Sequence, residues 1–496
     1  MSAAADRPHL LVYPFSSSGH VIPLLDLTER LIGRGLAVTV LVTPANIPLL
    51  QPLLSRYAPP VLDALVLPVP EPPTSLAQHR LVNRLRAMRD HHSPAVLRWF
   101  ASHPSPPVAI ISDYFLGWTS HLACQLGIPR IVFSPSAAFA VSVEFSLWRD
   151  QPRNEHQDAD YAVTLSDLPD SPSFNWWQLS LLYRMFAGGD PELRFHGDGM
   201  LANMDSWGIV FNSFSELERP YMDHMAKRYF GPGRVWAVGP LLPPPVNDST
   251  VGLADRGGSS SVSADNLLAW LDARRDQSVV YVCFGSRMVL SNAETHALAD
   301  ALEASGVQFI WCVREDGANS GRRPVAGEQG AAVPDGFEDR TAKRGLVIRG
   351  WAPQVLILRH RAVGSFLTHC GWNSVLEGLT AGVVMLTWPM GADQYSDAKL
   401  LVDQLGVGIR AHEREDSTPN SAELAQILAR SVDGSIPERA RARELKEAAA
   451  AAVSPGGSSD KDLDAFVKAV TELKSEGKRA VASSPEKETN GFPDVI

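Results

Sequence analysis

Two series of short apolar runs rich in β-branched residues, each run followed by a longer segment of helical spacing, constrain this chain more than any other feature. The first series is HLLVYP (9–14), LAVTVLVTP (36–44), VAIISD (108–113), PRIVFS (129–134) and GIVFNSF (208–214). The second is SVVYVCFGS (278–286), QFIWCVR (308–314), GLVIRGW (345–351), VGSFLTHC (363–370) and VVMLTWP (383–389). Continuously apolar runs belong to strands covered on both faces, and strands alternating with helices build βαβ units around a parallel sheet. The chain is therefore predicted to be α/β with two parallel sheets. Between the series lies LPPPVNDSTVGLADRGGSSSVSA (242–264), whose Pro, Gly and Ser content supports no packed element and marks a linker. Residues 1–241 form the expected first domain and 265–457 the second. Helical spacing of Leu463, Phe466, Val467 and Val470 predicts a helix over 458–475 that returns to the first domain, and the polar stretch 476–496 reads as a mobile tail.

A length of 496 residues exceeds what one core holds, which agrees with two lobes. The formal charge of −10 argues against a partner tracked by its phosphates, so nucleic acid is not expected. Cysteines 124, 283, 312 and 370 are scattered without CxxC spacing, which points to neither a disulfide framework nor a zinc knuckle, but to a reducing compartment. No run of eighteen apolar residues occurs, and MSAAADRPHL lacks the basic start of a secretion signal. The expectation is a soluble cytoplasmic monomer with no membrane span.

Ligands of doubly wound sheets bind at the carboxyl ends of the strands, so the motifs there carry the chemistry. The strand ending at Cys370 runs into Gly371, Trp372, Asn373 and Ser374 and then a helical pattern, a turn that aims backbone N–H groups and a positive helix end at an anion. Alone, such a turn would more often be a helix capped by its own Asn and Ser. His20 ends the SSSGH loop after the first strand and can serve as a base near neutral pH, with Asp113 at the end of VAIISD as its natural partner. No HExxH, His/Cys cluster or DxD motif accompanies the anion turn, and no metal or permanently bound cofactor is expected. Arg80, Arg84, Arg86 and Arg89 lie in a helical stretch and read as a solvated face.

From Trp351 to Gln394 the chain reads WAPQVLILRHRAVGSFLTHCGWNSVLEGLTAGVVMLTWPMGADQ. This closely resembles the signature box of plant secondary-product UDP-glycosyltransferases, and PFSSSGHVIPLLDL, SVVYVCFGS and GGSSDKDLDAFV fall where such enzymes carry related segments. The resemblance implies the GT-B fold, two Rossmann-like domains facing across a cleft. It assigns Trp351 to stack on uracil, the Ala352 backbone to the base edge, and Gln354 and Glu377 to the ribose. His369, Gly371, Asn373 and Ser374, joined by Ser286, fall to the diphosphate. Trp372, Asp393 and Gln394 fall to the sugar. It also implies that His20 and Asp113 act as a dyad in an inverting transfer, with His20 taking the proton of an acceptor hydroxyl.

The first-domain phrases resemble the branch acting on flavonols and hydroxybenzoates, which implies UDP-glucose as donor and a small phenolic acceptor, most readily a flavonoid 3-OH or 7-OH. Phe139–Trp148 and Phe174–Tyr183, with Trp176 and Trp177, either line the acceptor pocket or are ordinary core. Rhamnosyl-type members end the box with His where this chain has Gln394, which favours glucose. Other readings are a UDP-rhamnose-dependent flavonol rhamnosyltransferase, a hydroxybenzoate glucosyltransferase, and a binding protein that has lost catalysis. A nicotinamide dehydrogenase is disfavoured because no G-x-G-x-x-G follows the first strand.

Overall fold

The computed structural model describes residues 7–70, 79–156, 158–242, 260–286, 288–314, 332–414 and 416–482, with side chains as far as 475. The first sheet holds His9–Tyr13 (β1), Ala37–Val42 (β2), Leu62–Val66 (β3), Ala109–Asp113 (β4) and Arg130–Ser134 (β5). After a small antiparallel hairpin, Ala162–Thr164 (β6) with Ser173–Asn175 (β7), it gains Gly208–Phe211 (β8) and Val235–Ala237 (β9). The second holds Val279–Cys283 (β10), Gln308–Val313 (β11), Gly345–Arg349 (β12), Val363–Thr368 (β13), Val384–Thr387 (β14) and Gly408–Arg410 (β15). All ten apolar runs of the sequence form strands. β3, β9 and β15, which were not expected, complete the edges.

Both main sheets are parallel throughout, in the orders β3-β2-β1-β4-β5-β8-β9 and β12-β11-β10-β13-β14-β15. Each chain of crossovers starts in the middle of its sheet, runs to one edge, and returns to fill the other. The order therefore reverses between β1 and β4 in the first sheet and between β10 and β13 in the second. At such a switch point the two connecting helices leave in opposite directions and open a crevice beyond the strand ends. β1, β2, β4, β5 and β10 are buried along their whole length, as strands with helices on both faces must be.

The last helix, Ser458–Ala482, leaves the second sheet and covers the far edge of the first. Leu463, Phe466 and Val470 are buried in that core, and Phe466 meets Trp236 of β9 edge-on at 5.1 Å. Asp462 accepts the backbone N–H of Ala237 at 2.8 Å, satisfying a donor at the sheet edge. The expected end of this helix at 475 is corrected. It continues to Ala482, because SEGKRAVA has no Pro and only one Gly to stop it. The rest of the expected tail, 483–496, and 243–259 of the expected linker lie outside the described residues.

Candidate active site

The helix Ser18–Gly33 starts directly after the β1 loop, so His20, its third residue, stands at the first switch point. Asp113, the last residue of β4, lies across the crevice and is fully buried. His20 Nδ1 and Asp113 Oδ2 are 2.8 Å apart, while Asp113 Oδ1 accepts the backbone N–H of Phe115 at 2.9 Å. Both carboxylate oxygens are thus occupied, which fixes the carboxylate plane. A neutral ring held this way carries its proton on Nδ1 and its lone pair on Nε2. Phe115 and Phe15 flank the imidazole at 4.8 and 5.3 Å between ring centres.

At the second switch point β13 gives way to His369, Cys370 and Gly371, and then to the helix Trp372–Ala381. No side chain caps that helix, so its first N–H groups remain available to an anion rather than to Asn373 or Ser374. His369 is packed between two glycines: a Cβ on Gly285 would fall 2.6 Å from its ring, and one on Gly371 would fall 2.5 Å from Nε2. Burial holds His369 neutral, lowering its pKa to about 4, and its Nδ1 has no hydrogen-bond partner. An orphaned polar atom beside an uncapped helix end suits a polar ligand that arrives from outside.

Further out, Gln354 opens the helix Gln354–Arg359 and donates from Nε2 to Ser374 Oγ at 2.9 Å and to Glu377 at 2.6 Å. Its carbonyl accepts from Tyr281 at 3.2 Å. Gln354, Ser374 and Glu377 therefore form one network, with half-buried Trp351 and buried Ala352 just before it. Ser286 follows β10 on the other side of the switch point.

The turn before Asp393 strains its backbone: Ala392 has φ 53°, a region that non-glycine residues rarely adopt. Asp393 Oδ2 accepts from Ser136 Oγ at 2.5 Å, across from the first sheet. Burial raises the Asp393 pKa, while the Ser136 hydrogen bond opposes that shift. Gln394 is buried and its carbonyl accepts from Met390 N at 2.9 Å.

Two expectations are corrected. Trp372 was expected to face the sugar, but it is 2% exposed and its indole donates to the Asn212 carbonyl at 2.7 Å. Its side chain closes the seam between the two halves, since a buried indole N–H needs an acceptor and the first sheet supplies one. Arg84 is not on a solvated face, because it turns inward and donates to Ser16 Oγ at 3.0 Å in the loop before His20. Arg86 and Arg89 lie over the Phe195 ring, and Arg80 is exposed.

Several residues at the cleft were not anticipated. Ser136 and Asn212 bind the second half directly, and so does the Gly19 carbonyl, which accepts from Asn373 Nδ2 at 2.8 Å. Pro23 makes that bond available: lacking an N–H, it cannot close the helical i to i+4 bond to Gly19. The only sequence signal was a proline four residues after a glycine. Glu144 is half-buried in a helix whose residues from Ala138 to Trp148 are otherwise buried, accepts from Trp148 Nε1 at 3.0 Å, and has its pKa raised to about 7 by burial. Glu218 is fully buried and also raised to about 7, accepting from Phe139 N at 2.8 Å and Ser213 Oγ at 2.5 Å.

Among the described residues, no group of three or more His, Cys, Asp or Glu side chains could hold a metal ion, and no helix is long and apolar enough to cross a membrane. Residues 257–433 match the family model for UDP-glucoronosyl and UDP-glucosyl transferases. The flavonol 3-O-glucosyltransferase UGT89B1 of Arabidopsis thaliana is 48% identical over 480 residues, covering 94% of this chain and 97% of that protein. A flavonol 7-O-rhamnosyltransferase of the same plant is 40% identical over 475 residues, covering 93% and 97%. The crystal structure of Arabidopsis thaliana UGT89C1 complexed with UDP-L-rhamnose matches with a TM-score of 0.74 at 38% identity, covering 94% of this chain and 99% of that one. With its two facing Rossmann-like sheets and a likeness that spans nearly its whole length, this chain belongs to the plant UDP-glycosyltransferases of GT-B fold.

Proposed function

We propose that the protein transfers glucose from UDP-glucose to a flavonol hydroxyl with inversion at the anomeric carbon. The observation that carries this reading is the meeting of the two switch points: a His–Asp pair at one, an uncapped helix end at the other, and Asn373 hydrogen-bonded to the residue beside His20. His20 Nε2 takes the acceptor proton as the oxygen attacks the anomeric carbon and the bond to UDP breaks. Asp113 steadies the imidazolium that forms. Charge growing on the departing diphosphate is met by the helix N–H groups, His369, Ser374 and Ser286. Asn373 Nδ2 carries two hydrogens, so one can stay on Gly19 while the other meets a phosphate oxygen.

Trp351 and the backbone of Ala352 take the uracil, and Gln354 and Glu377 the ribose hydroxyls. Asp393 and Gln394 read the sugar. The names of the two Arabidopsis relatives support a flavonol acceptor. Phe15 and Phe115 beside His20 give such a ring an apolar seat. Residues 1–241 then form the acceptor domain and 265–457 the donor domain, closed by the terminal helix. Four free thiols support a reducing cytoplasm as the compartment.

Incubation with UDP-glucose and a panel of flavonols, read by mass spectrometry, should give a mass gain of one hexosyl group, and His20→Ala should abolish most of it. Transfer from UDP-rhamnose alone would overturn the donor assignment.

A further inference from the structure

Glu144 is the one residue from Ala138 to Trp148 that is not buried, so the helix Ala138–Asp150 leaves a single side chain of that stretch in reach of the cleft. Elsewhere the helix packs against the helices Arg194–Met204, Ser215–Met225 and Gln394–Lys399. Ser136, just before it, holds Asp393 at 2.5 Å. Burial raises the Asp393 pKa, and His20 lies close enough to oppose that shift. Asp393 in turn adds to the burial that raises the Glu144 pKa. Tyr114, next to Asp113 in the chain, is pushed up by burial and then by the charges of Glu144, Asp393 and Asp113. Glu144 therefore shares one space with the His20–Asp113 pair and with Asp393. Nearly two turns separate it from the start of its helix, about 10 Å by the rise of an α-helix. That is within the length of a three-ring phenol whose reacting hydroxyl sits at His20.

The Glu144 carboxyl is anchored but not filled. Oε2 accepts from Trp148 Nε1 at 3.0 Å, and the Ser180 hydroxyl also favours the charged form. A carboxylate has about four acceptor positions, so capacity remains on its exposed side. With a pKa of about 7 the group accepts a hydrogen bond when ionised and donates one when protonated. A phenolic hydroxyl does both, and so suits either state. An anionic acceptor would bring its charge against Glu144 and Asp393 together, and an apolar edge would strip water from the carboxyl without replacing it.

We propose that Glu144 determines acceptor specificity: its carboxyl binds a hydroxyl of the phenolic acceptor other than the one that reacts. The proposal rests on the glycosyltransferase reading and adds to it a preference for acceptors with a second hydroxyl.

Quercetin carries several hydroxyls, whereas 3-hydroxyflavone and 7-hydroxyflavone each carry only the one that reacts. Steady-state kinetics of the full chain with UDP-glucose should show kcat/KM for quercetin lowered about tenfold by Glu144→Ala. The loss should fall on KM rather than kcat, because the bond removed is remote from the reacting oxygen. Transfer to the monohydroxyflavone should stay unchanged, so the ratio between the two acceptors drops by the same factor. Water entering the space left by the substitution can take the Trp148 N–H. Glu144→Gln can keep its carbonyl on Trp148 and turn its NH₂ to the cleft, so its ratio should fall between the two. A merely structural role would lower both acceptors alike. The proposal is overturned if either variant keeps the native ratio, or if both acceptors lose equally. Failure of the native protein to transfer glucose to any of the three flavonoids would refute the flavonol reading itself, and the proposal with it.

Discussion

Replacing Asp113 by Asn keeps the shape of the dyad and inverts its hydrogen-bond logic. In the native protein one carboxylate oxygen holds the Phe115 N–H and the other accepts from His20 Nδ1, leaving Nε2 as the basic nitrogen. An Asn amide that keeps its oxygen on Phe115 turns its NH₂ toward His20. Nδ1 must then accept, the ring proton moves to Nε2, and the base is lost. The flipped amide restores the tautomer but leaves the buried Phe115 donor facing another donor, at a cost of about 1–3 kcal/mol. Losing the charge-assisted bond to the imidazolium adds about 1.5–3 kcal/mol at the transition state. Together these predict a fall in kcat of about 10²- to 10⁴-fold for Asp113→Asn. Asp113→Ala incurs only the second loss, because the cavity admits water that serves Phe115 and leaves the ring free to choose its tautomer. The expected order of kcat is therefore native, then Ala, then Asn, measured with saturating UDP-glucose and quercetin, while UDP affinity by calorimetry stays the same in all three. An Asn variant as active as the Ala variant would show that Asp113 does not set the tautomer.

Trp351→Ala and Glu377→Ala should each weaken UDP binding by about tenfold or more, since one removes the stacking face and the other a ribose acceptor, and calorimetry with UDP alone measures both. Gln394→His should reduce the use of UDP-glucose relative to other UDP-sugars in a competition assay, because an amide offering a donor and an acceptor gives way to a ring of different shape. Trp372→Phe should lower Tm by leaving the Asn212 carbonyl unpaired, at about 1–2 kcal/mol, without changing donor preference. A changed preference would return that side chain to the sugar site. Glu218 titrates near 7 in the folded protein against an ordinary value of 4.5, so the native state holds the extra proton and stability falls as pH rises from about 4.5 to about 7. Glu218→Gln, which can keep both hydrogen bonds, should flatten the pH dependence of Tm over that range.

The sequence showed most where strand and turn chemistry coincide. Ten β-branched runs became strands, and His20 and Asp113 were legible as a pair because strands from successive βαβ units place their ends on one edge. Three edge strands were not legible: in LDALV the charged Asp63 breaks a five-residue run that shows no period, and VWA and GIR are three residues each, too short to carry one. The seam was invisible for a different reason. Ser136 with Asp393, Asn212 with Trp372 and Gly19 with Asn373 join residues more than 150 positions apart, and nothing local in either partner announces the other. Trp372 shows the cost. An indole in a ligand-binding segment has the same sequence signature whether it faces a sugar or a backbone carbonyl across the seam. Arg84 was misread because helical spacing gives a side chain's face but not whether a loop from elsewhere covers it.

Pro23 bears on how such enzymes can be recombined. Because a proline frees the Gly19 carbonyl, the donor half carries a side chain fitted to a vacancy in the backbone of the other half. Grafting a foreign acceptor half onto this donor half would therefore demand more than matching surfaces. A helix that closes its own hydrogen bond at that position would leave the Asn373 amide idle and the base loop untethered. Chimeras should succeed or fail on a single missing N–H, hundreds of residues from the join.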